Sequence, residues 1–306
     1  MKKIAMVGLG RMGGNMARRL RLGGAEVVAH NRSFAVTQQL AAETGLLAVE
    51  TLQQLVESLG DGPRIIWLML PAGEATQQAL DTLVPMLGAG DIVVDGANAF
   101  YKDSQRRAGE LGAWGIQFVD VGVSGGVWGL QNGYAMMAGG EPAAVKQLEF
   151  YLKILAPAPD KGWLHCGPAG SGHFVKMIHS GIEYGMMQAF AEGFALMKGK
   201  QEFDLDLGAI SEMWRHGSVV RSWLLDLSAD FLRQDQDLSA IAPFVSDSGE
   251  GRWTAFEAIE QGVPAPVMSL ALMMRFASQG SNDFPARMLA MMRKGFGGHA
   301  IKEGAK

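Results

Sequence analysis

The stretch Ile4-Ala5-Met6-Val7-Gly8-Leu9-Gly10-Arg11-Met12-Gly13 puts a short apolar run directly before three spaced glycines, and a helix-like segment follows from Met12 to Leu22. Strand, glycine turn and helix in that order make a phosphate-binding turn. Gly8 permits the tight turn, Gly10 lets the backbone approach a pyrophosphate, and Gly13 lets helix and strand pack closely. The helix start at Arg11 and Met12 adds unpaired N–H groups and a partial positive charge. A glycine-rich turn without a ligand is the plainer alternative; the strand before it and the helix after it weigh against that.

Outward from this turn, the first half of the chain keeps alternating. Glu26–His30, Ile65–Leu70, Asp91–Asp95, Gln117–Val121 and Tyr134–Ala138 are strand candidates separated by helical stretches. Continuous apolar strands of this kind indicate a parallel sheet covered on both faces. From about residue 170 the texture changes. Val175–Lys198, Leu207–Arg215, Ser218–Arg233, Thr254–Gln261 and Pro264–Ser278 read as helices with no strand between them, the pattern of a separate helical domain. The expected fold class is α/β: an N-terminal Rossmann-type doubly wound sheet over residues 1–165, then an all-α C-terminal domain over residues 166–306. Gly167 to Gly172 is the expected joint and helix start, and the Gly-rich tail from Gly295 reads as loop or partly ordered.

Composition narrows the class. A length of 306 residues suits two domains at roughly 150 each. With 48% apolar and 19% charged residues the chain is not disordered. Lys plus Arg is 27 against 31 for Asp plus Glu, a net −4, which argues against a general nucleic-acid binder. Cys166 is the one cysteine, so no intrachain disulfide can form, and a reducing cytoplasm is the expected location. The apolar run Ile4–Leu9 is too short for a secretory leader. No stretch approaches the ~18 apolar residues of a membrane span, so no membrane partner is expected.

The end of the second strand bears on which nucleotide the turn would hold. NAD-binding turns place an acid about 20 residues after the glycines, to hold the ribose 2′-hydroxyl. Here the sequence is His30-Asn31-Arg32-Ser33, with no carboxylate. Arg32 can pair with a 2′-phosphate, which favours NADP, with NAD still possible. An exposed surface arginine is the alternative.

A second constellation opens the helical half. Lys176, His179 and Glu183 are spaced i, i+3 and i+7, which sets them within an arc of roughly 60° on a helix. Tyr184 flanks that face. The other positions include Phe174, Val175, Met177, Ile178 and Met186. A solvated ion-pair face is one reading; a polar stripe on an otherwise buried helix, lining a cavity, is the one the apolar neighbours favour. A lysine partly withdrawn from water can act as a base, and a carboxylate one to two turns away can handle a second proton.

These motifs, with Asp95-Gly-Ala-Asn98, Val123-Ser124-Gly125-Gly126-Val127-Trp128-Gly129 and Lys176-Met-Ile-His179-Ser180-Gly-Ile-Glu183-Tyr184-Gly185, resemble decarboxylating 6-phosphogluconate dehydrogenase in its short form, within the β-hydroxyacid dehydrogenase superfamily. The resemblance covers almost the whole chain. It takes in Met69-Leu70-Pro71-Ala72-Gly73, Gly251-Arg252-Trp253-Thr254 and Arg293-Lys-Gly-Phe-Gly-Gly-His299. It implies that Lys176 takes the proton from the substrate 3-hydroxyl while hydride passes to the nicotinamide. The 3-keto acid then loses CO2, and Glu183 protonates C1 of the enediol to give ribulose 5-phosphate.

It further implies that Leu70, Pro71, Ala72 and Asn98 lie at the nicotinamide end of the cofactor. Asn98, Ser124, Gly125, Gly126, His179 and Ser180 would hold the sugar acid. Tyr184, Arg252, Thr254 and Arg275 would hold the 5-phosphate, joined by Arg293 and His299 from a neighbouring subunit. A homodimer or homotetramer with shared active sites is therefore expected, built through residues 166–306. The sequence departs from the family's usual pattern at Ser180, where asparagine is usual, at Arg252, where lysine is usual, and at Ala97 and Ala99, which replace a glycine and a serine.

The remaining histidines His30, His165, His173 and His216 have no metal-ligand partners at useful spacing, so no metal is expected and their roles read as structural. Two rivals stand beside the main reading. A related β-hydroxyacid dehydrogenase or imine reductase would share the glycine turn and the helix lysine, without needing Glu183, Tyr184 and the separated arginines. A non-catalytic NADP(H) sensor would keep Gly8, Gly10 and Gly13 but not Lys176 and Glu183 on one face.

Overall fold

The computed structural model describes residues 2–280, 283–297, 300 and 302. Eight strands form one sheet: β1 (Lys3–Val7), β2 (Glu26–His30), β3 (Leu47–Ala48), β4 (Ile65–Leu68), β5 (Ile92–Asp95), β6 (Gln117–Ser124), β7 (Ala135–Gly139) and β8 (Trp163–Gly167). Their order is β3-β2-β1-β4-β5-β6-β7-β8. Neighbours are parallel, except that β6 and β7 are antiparallel. The helices of this half are α1 (Arg11–Leu22), α2 (Phe34–Thr44), α3 (Leu52–Leu59), α4 (Glu74–Leu83), α5 (Tyr101–Gly112), α6 (Gly129–Asn132) and α7 (Pro142–Leu155).

Alternation along the strands explains the continuous apolar runs. In β1, Ile4 and Met6 face one cluster together with Met16 and Leu20 of α1 and Leu148 and Leu152 of α7. Ala5 and Val7 face the opposite cluster with Leu55 of α3, Leu80 of α4 and Leu111 of α5. Burying each such side chain is worth about 1.5–3 kcal/mol, while intrinsic helix preferences differ by under about 1 kcal/mol. Packing on both faces therefore decides these elements. The chain runs outward from β1 to β3 and then crosses back to β4, so β1 and β4 lie side by side with their connections diverging. That divergence opens a crevice at the strands' carboxyl ends, the usual ligand position in such sheets.

The helical half holds α8 (Ser171–Gly199), α9 (Leu207–Trp214), α10 (Trp223–Gln234), α11 (Glu250–Gln261), α12 (Pro266–Ser278) and α13 (Asp283–Gly297). The chain divides into two compact units, Met1–His179 and Ser180–Lys306, so the division falls inside α8. The start of α8 at Ser171 falls within the Gly167–Gly172 segment where a helix start was expected. Other local expectations need correcting: α13 was not foreseen and runs on to Gly297 where loop was expected from Gly295, and neither β3 nor β8 was foreseen. The lysine of the α8 stripe is withdrawn from water as expected and Met177 beside it is 1% exposed, but the helix is not otherwise buried. Val175, Ile182 and Met186 are 38%, 53% and 40% exposed, whereas Lys176 is 6% exposed.

The second unit exposes much apolar surface, including Leu196, Phe203, Val219, Ile241, Ile259 and Val267. Within it, Met187, Phe190, Phe194, Leu224, Leu227 and Phe231 line an apolar cavity of about 490 Å³. No helix among the described residues is long and apolar enough to cross a membrane.

Candidate active site

The glycine turn sits where β1 gives way to α1. Gly8 has φ +92°, and a Cβ there would lie 2.5 Å from the Met69 carbonyl oxygen. A Cβ on Gly13 would lie 2.0 Å from the Gly8 carbonyl oxygen, so neither position admits a side chain. Gly10 is different: a Cβ there would meet nothing within 4 Å. It is the N-cap of α1, with no side-chain cap and no acid in the first turn. The turn therefore holds open space against a helix N-terminus, as a pyrophosphate requires. The Leu9 N–H is not part of that supply, because it donates to Asn31 Oδ1 at 3.0 Å. Asn31 thus braces the turn, and its amide also donates to the Ser33 carbonyl.

Arg11, Arg32 and Ser33 are exposed at the surface beside the turn, and Met12 is half-buried. Leu70 is half-buried and Pro71 and Ala72 are exposed beyond β4. Asn98 Oδ1 is buried without a partner among the described residues. An orphaned acceptor near the carboxyl ends of the strands, with the open turn, fits a dinucleotide that brings its own donors.

The loops after β4 and β5 are tied together from beneath. Asp95 ends β5, and its Oδ1 accepts from the Ala97 N–H at 3.1 Å. Arg107 of α5 donates to Asp95 Oδ2 at 3.0 Å, with the two side chains 2% and 0% exposed. The same guanidinium reaches the Gly73 carbonyl at 3.2 Å and Gln77 Oε1 at 3.3 Å. One buried fork thus fixes the segments bearing Ala72 and Asn98.

Residues 120, 122 and 124 of β6 share one face of the strand, and that face meets the start of α8. Asp120 Oδ1 accepts from the Gly170 N–H at 2.6 Å and Oδ2 from the His173 N–H at 2.8 Å. Burial pushes the Asp120 carboxyl above its ordinary range, against the opposing pull of His173 and these backbone donors. A Cβ on Gly122 would lie 2.3 Å from Lys176 Cβ, so the glycine lets the helix close on the strand. Ser124 Oγ lies 3.3 Å from His179 Nε2, and Lys176 Nζ lies 3.3 Å from His179 Nδ1. When the ammonium donates to Nδ1, the ring proton is on Nε2 and donates to Ser124 Oγ. Lys176, His179 and Ser124 are therefore brought together. Gly125 and Gly126 form the turn that follows, and Ser180 is buried and Glu183 half-buried further along α8.

The second unit assembles its own cluster. The Arg275 guanidinium stacks 3.9 Å from the Tyr184 ring centroid and donates to the Ser246 carbonyl at 2.8 Å. Tyr184 Oη lies 3.4 Å from Ser248 Oγ, and burial pushes the phenol's pKa up. Thr254 is buried, and a Cβ on Gly181 would touch it. Arg252 pairs with Asp247 and lies over the Phe276 ring. Burial pushes the Asp247 carboxyl up, but Arg252, the Gly249 N–H and Arg275 outweigh it and hold it below the ordinary range. Arg293 is exposed on α13 and is not joined to this cluster among the described residues. His299 lies outside the described residues. No group of three or more His, Cys, Asp or Glu able to hold a metal occurs among the described residues.

Sequence reasoning missed Asp95, Arg107, Asp120 and Gly122. Gly122 carried a signal, since a glycine between valines in a strand marks a close backbone approach. The others act across distant segments and left no local trace.

Comparisons with known proteins bear on the whole chain. Residues 3–166 match the family described as the NAD binding domain of 6-phosphogluconate dehydrogenase. Residues 172–291 match the 6-phosphogluconate dehydrogenase C-terminal domain. An NAD(+)-dependent, decarboxylating 6-phosphogluconate dehydrogenase of Haloferax volcanii is 40% identical over 300 residues, covering 98% of each chain. An NADP(+)-dependent, decarboxylating one of Bacillus subtilis is 34% identical over 90% of this chain, which spans 61% of that relative's length. Among solved structures, Plasmodium falciparum 6-phosphogluconate dehydrogenase, determined apo, with NADP+ and with 6-phosphogluconate, gives a TM-score of 0.83 at 27% identity over 99% of this chain and 67% of that one.

Proposed function

The chain belongs to the 6-phosphogluconate dehydrogenase family, and from that premise we infer that it oxidatively decarboxylates 6-phosphogluconate to ribulose 5-phosphate and CO2. When bound, the nicotinamide nucleotide supplies the hydride acceptor. Lys176 takes the proton of the substrate 3-hydroxyl as C3 becomes a ketone. As the carboxylate β to that ketone leaves as CO2, Lys176 gives its proton to the ketone oxygen to form the enediol. Glu183 then protonates C1 of the enediol while Lys176 takes back the C2 hydroxyl proton, leaving ribulose 5-phosphate. His179 and Ser124 hold the lysine's surroundings in register, and with Asn98, Gly125, Gly126 and Ser180 they bind the sugar acid. The observation that carries this reading is a lysine 6% exposed whose Nζ lies 3.3 Å from His179 Nδ1.

Tyr184, Arg252, Thr254 and Arg275 are assigned to the 5-phosphate. A dianion there competes with Asp247 for Arg252 and gains planar guanidinium donors. Arg293 and His299 are assigned to a neighbouring subunit's site, and the exposed apolar surface of the second unit supports a homodimer or homotetramer. Residues 1–165 are assigned to nucleotide binding, residues 166–306 to substrate and subunit contacts, and the enzyme to the cytoplasm.

The test is direct. With 6-phosphogluconate and either nucleotide, absorbance of the reduced nicotinamide should rise with one CO2 released per hydride. Reduction without CO2 would support the related reductase, and nucleotide binding without turnover would support the sensor. Nucleotide choice is assigned to Arg32, in favour of NADP. Losing a charge-assisted contact to the 2′-phosphate should lower the NADP-to-NAD ratio of kcat/KM about 10–100-fold in Arg32→Ala. An unchanged ratio would remove Arg32 from that role.

A further inference from the structure

We propose that Asp120 and His173 are positioning residues for the reaction, clamping the first turn of α8 to β6 and so setting where Lys176 presents its nitrogen. The inference rests on the reading of Lys176 as the base. A helix start normally finds its cap in the adjoining sequence. Here the residue before α8 is Gly170, which has no side chain, and Ser171 Oγ is buried without a partner among the described residues. The cap comes instead from β6, where fully buried Asp120 accepts one N–H on each carboxylate oxygen, from Gly170 and His173. Its negative charge also suits the positive end of the helix macrodipole.

His173 carries the clamp sideways. It is 1% exposed, and its Nδ1 lies 2.7 Å from Ser104 Oγ on α5. The first turn of α8 is thus pinned to the sheet through its backbone and to α5 through a ring. Lys176 lies one turn further on. Its Cβ packs so closely over Gly122 that any side chain there would collide with it. Gly172 allows the same closeness, since a Cβ there would lie 2.5 Å from the Asp120 carbonyl oxygen. With its stem confined in this way, the lysine goes where the helix goes. A displacement of about 1 Å at a reacting group can cost about 100-fold in rate.

The test is Asp120→Asn in the full-length protein, with Ser104→Ala and the pair His173→Asn and His173→Ala beside it. The asparagine is isosteric, but its amide NH2 confronts a backbone N–H in place of an acceptor. The expected result is a kcat lowered about 10–100-fold, with KM for 6-phosphogluconate and the Kd for nucleotide within about twofold of wild type. Ser104→Ala should lower kcat several-fold with KM unchanged. His173→Asn, which keeps a hydrogen-bonding atom near the Nδ1 position, should retain more activity than His173→Ala. Should Asp120→Asn fail to fold, Ser104→Ala and the His173 pair decide the matter. Wild-type kcat in folded Asp120→Asn, or losses shared equally between kcat and KM, would overturn the proposal. Lys176→Ala assayed in parallel separates the premises: activity retained there defeats the base assignment, whereas an inactive Lys176→Ala beside a fully active Asp120→Asn defeats only the clamp.

Discussion

Lys176→Ala should lower kcat by about 10²–10⁴-fold, the usual contribution of a positioned general base, while the dissociation constant for nucleotide stays within about twofold. The reason is spatial. The lysine stem lies over Gly122 of β6 and its nitrogen beside His179. The glycine turn is built by a different set of residues: Gly8, Gly10, Gly13 and the bracing amide of Asn31. Removing the amine leaves that turn intact. Steady-state kinetics combined with a nucleotide titration separates the two quantities. A variant retaining a tenth or more of wild-type kcat would take the proton-transfer role away from this lysine.

Arg107→Ala should be the most destabilising single change in the sheet-bearing unit. Both members of its ion pair with Asp95 are out of contact with water. Deleting one partner of such a pair leaves an uncompensated buried charge, at a cost of about 3–5 kcal/mol. For a unit of this size, each kcal/mol lowers Tm by about 2–4 °C, so thermal unfolding should move down by about 6–20 °C. The loss extends beyond stability, because the same guanidinium holds the Gly73 carbonyl and Gln77. With the fork gone, the segments carrying Ala72 and Asn98 lose their common anchor, and KM for nucleotide should rise. A melting curve superimposable on wild type would mean that the carboxylate finds another partner.

The parts legible in the sequence are those whose causes are local. The phosphate turn can be read because strand, glycines and helix are contiguous, and the doubly covered sheet because its strands are apolar on both faces. Short or exposed edges escape that reading. β3 has two residues, and Leu164 of β8 is 66% exposed, so neither leaves a continuous apolar run. The start of α8 was expected within Gly167–Gly172 and lies at Ser171, but its cap, some fifty residues away on β6, left no local trace. The stripe of Lys176, His179 and Glu183 lies on a helix and its lysine is buried, as expected, but the helix was read as otherwise buried and is not. The rule that apolar sides go inward presumes that the surface is water, and α8 turns Val175, Ile182 and Met186 outward instead.

That outward face, together with the exposed hydrophobic side chains among the described residues of the second unit, makes dilution an experimental variable. In the proposed homo-oligomer, a subunit whose greasy flank is sheltered by another copy would borrow part of its free energy of folding from association. Its midpoint of heat denaturation should therefore climb as more protein is loaded, and solutions taken to nanomolar levels should lose the helical half's order before that of the sheet.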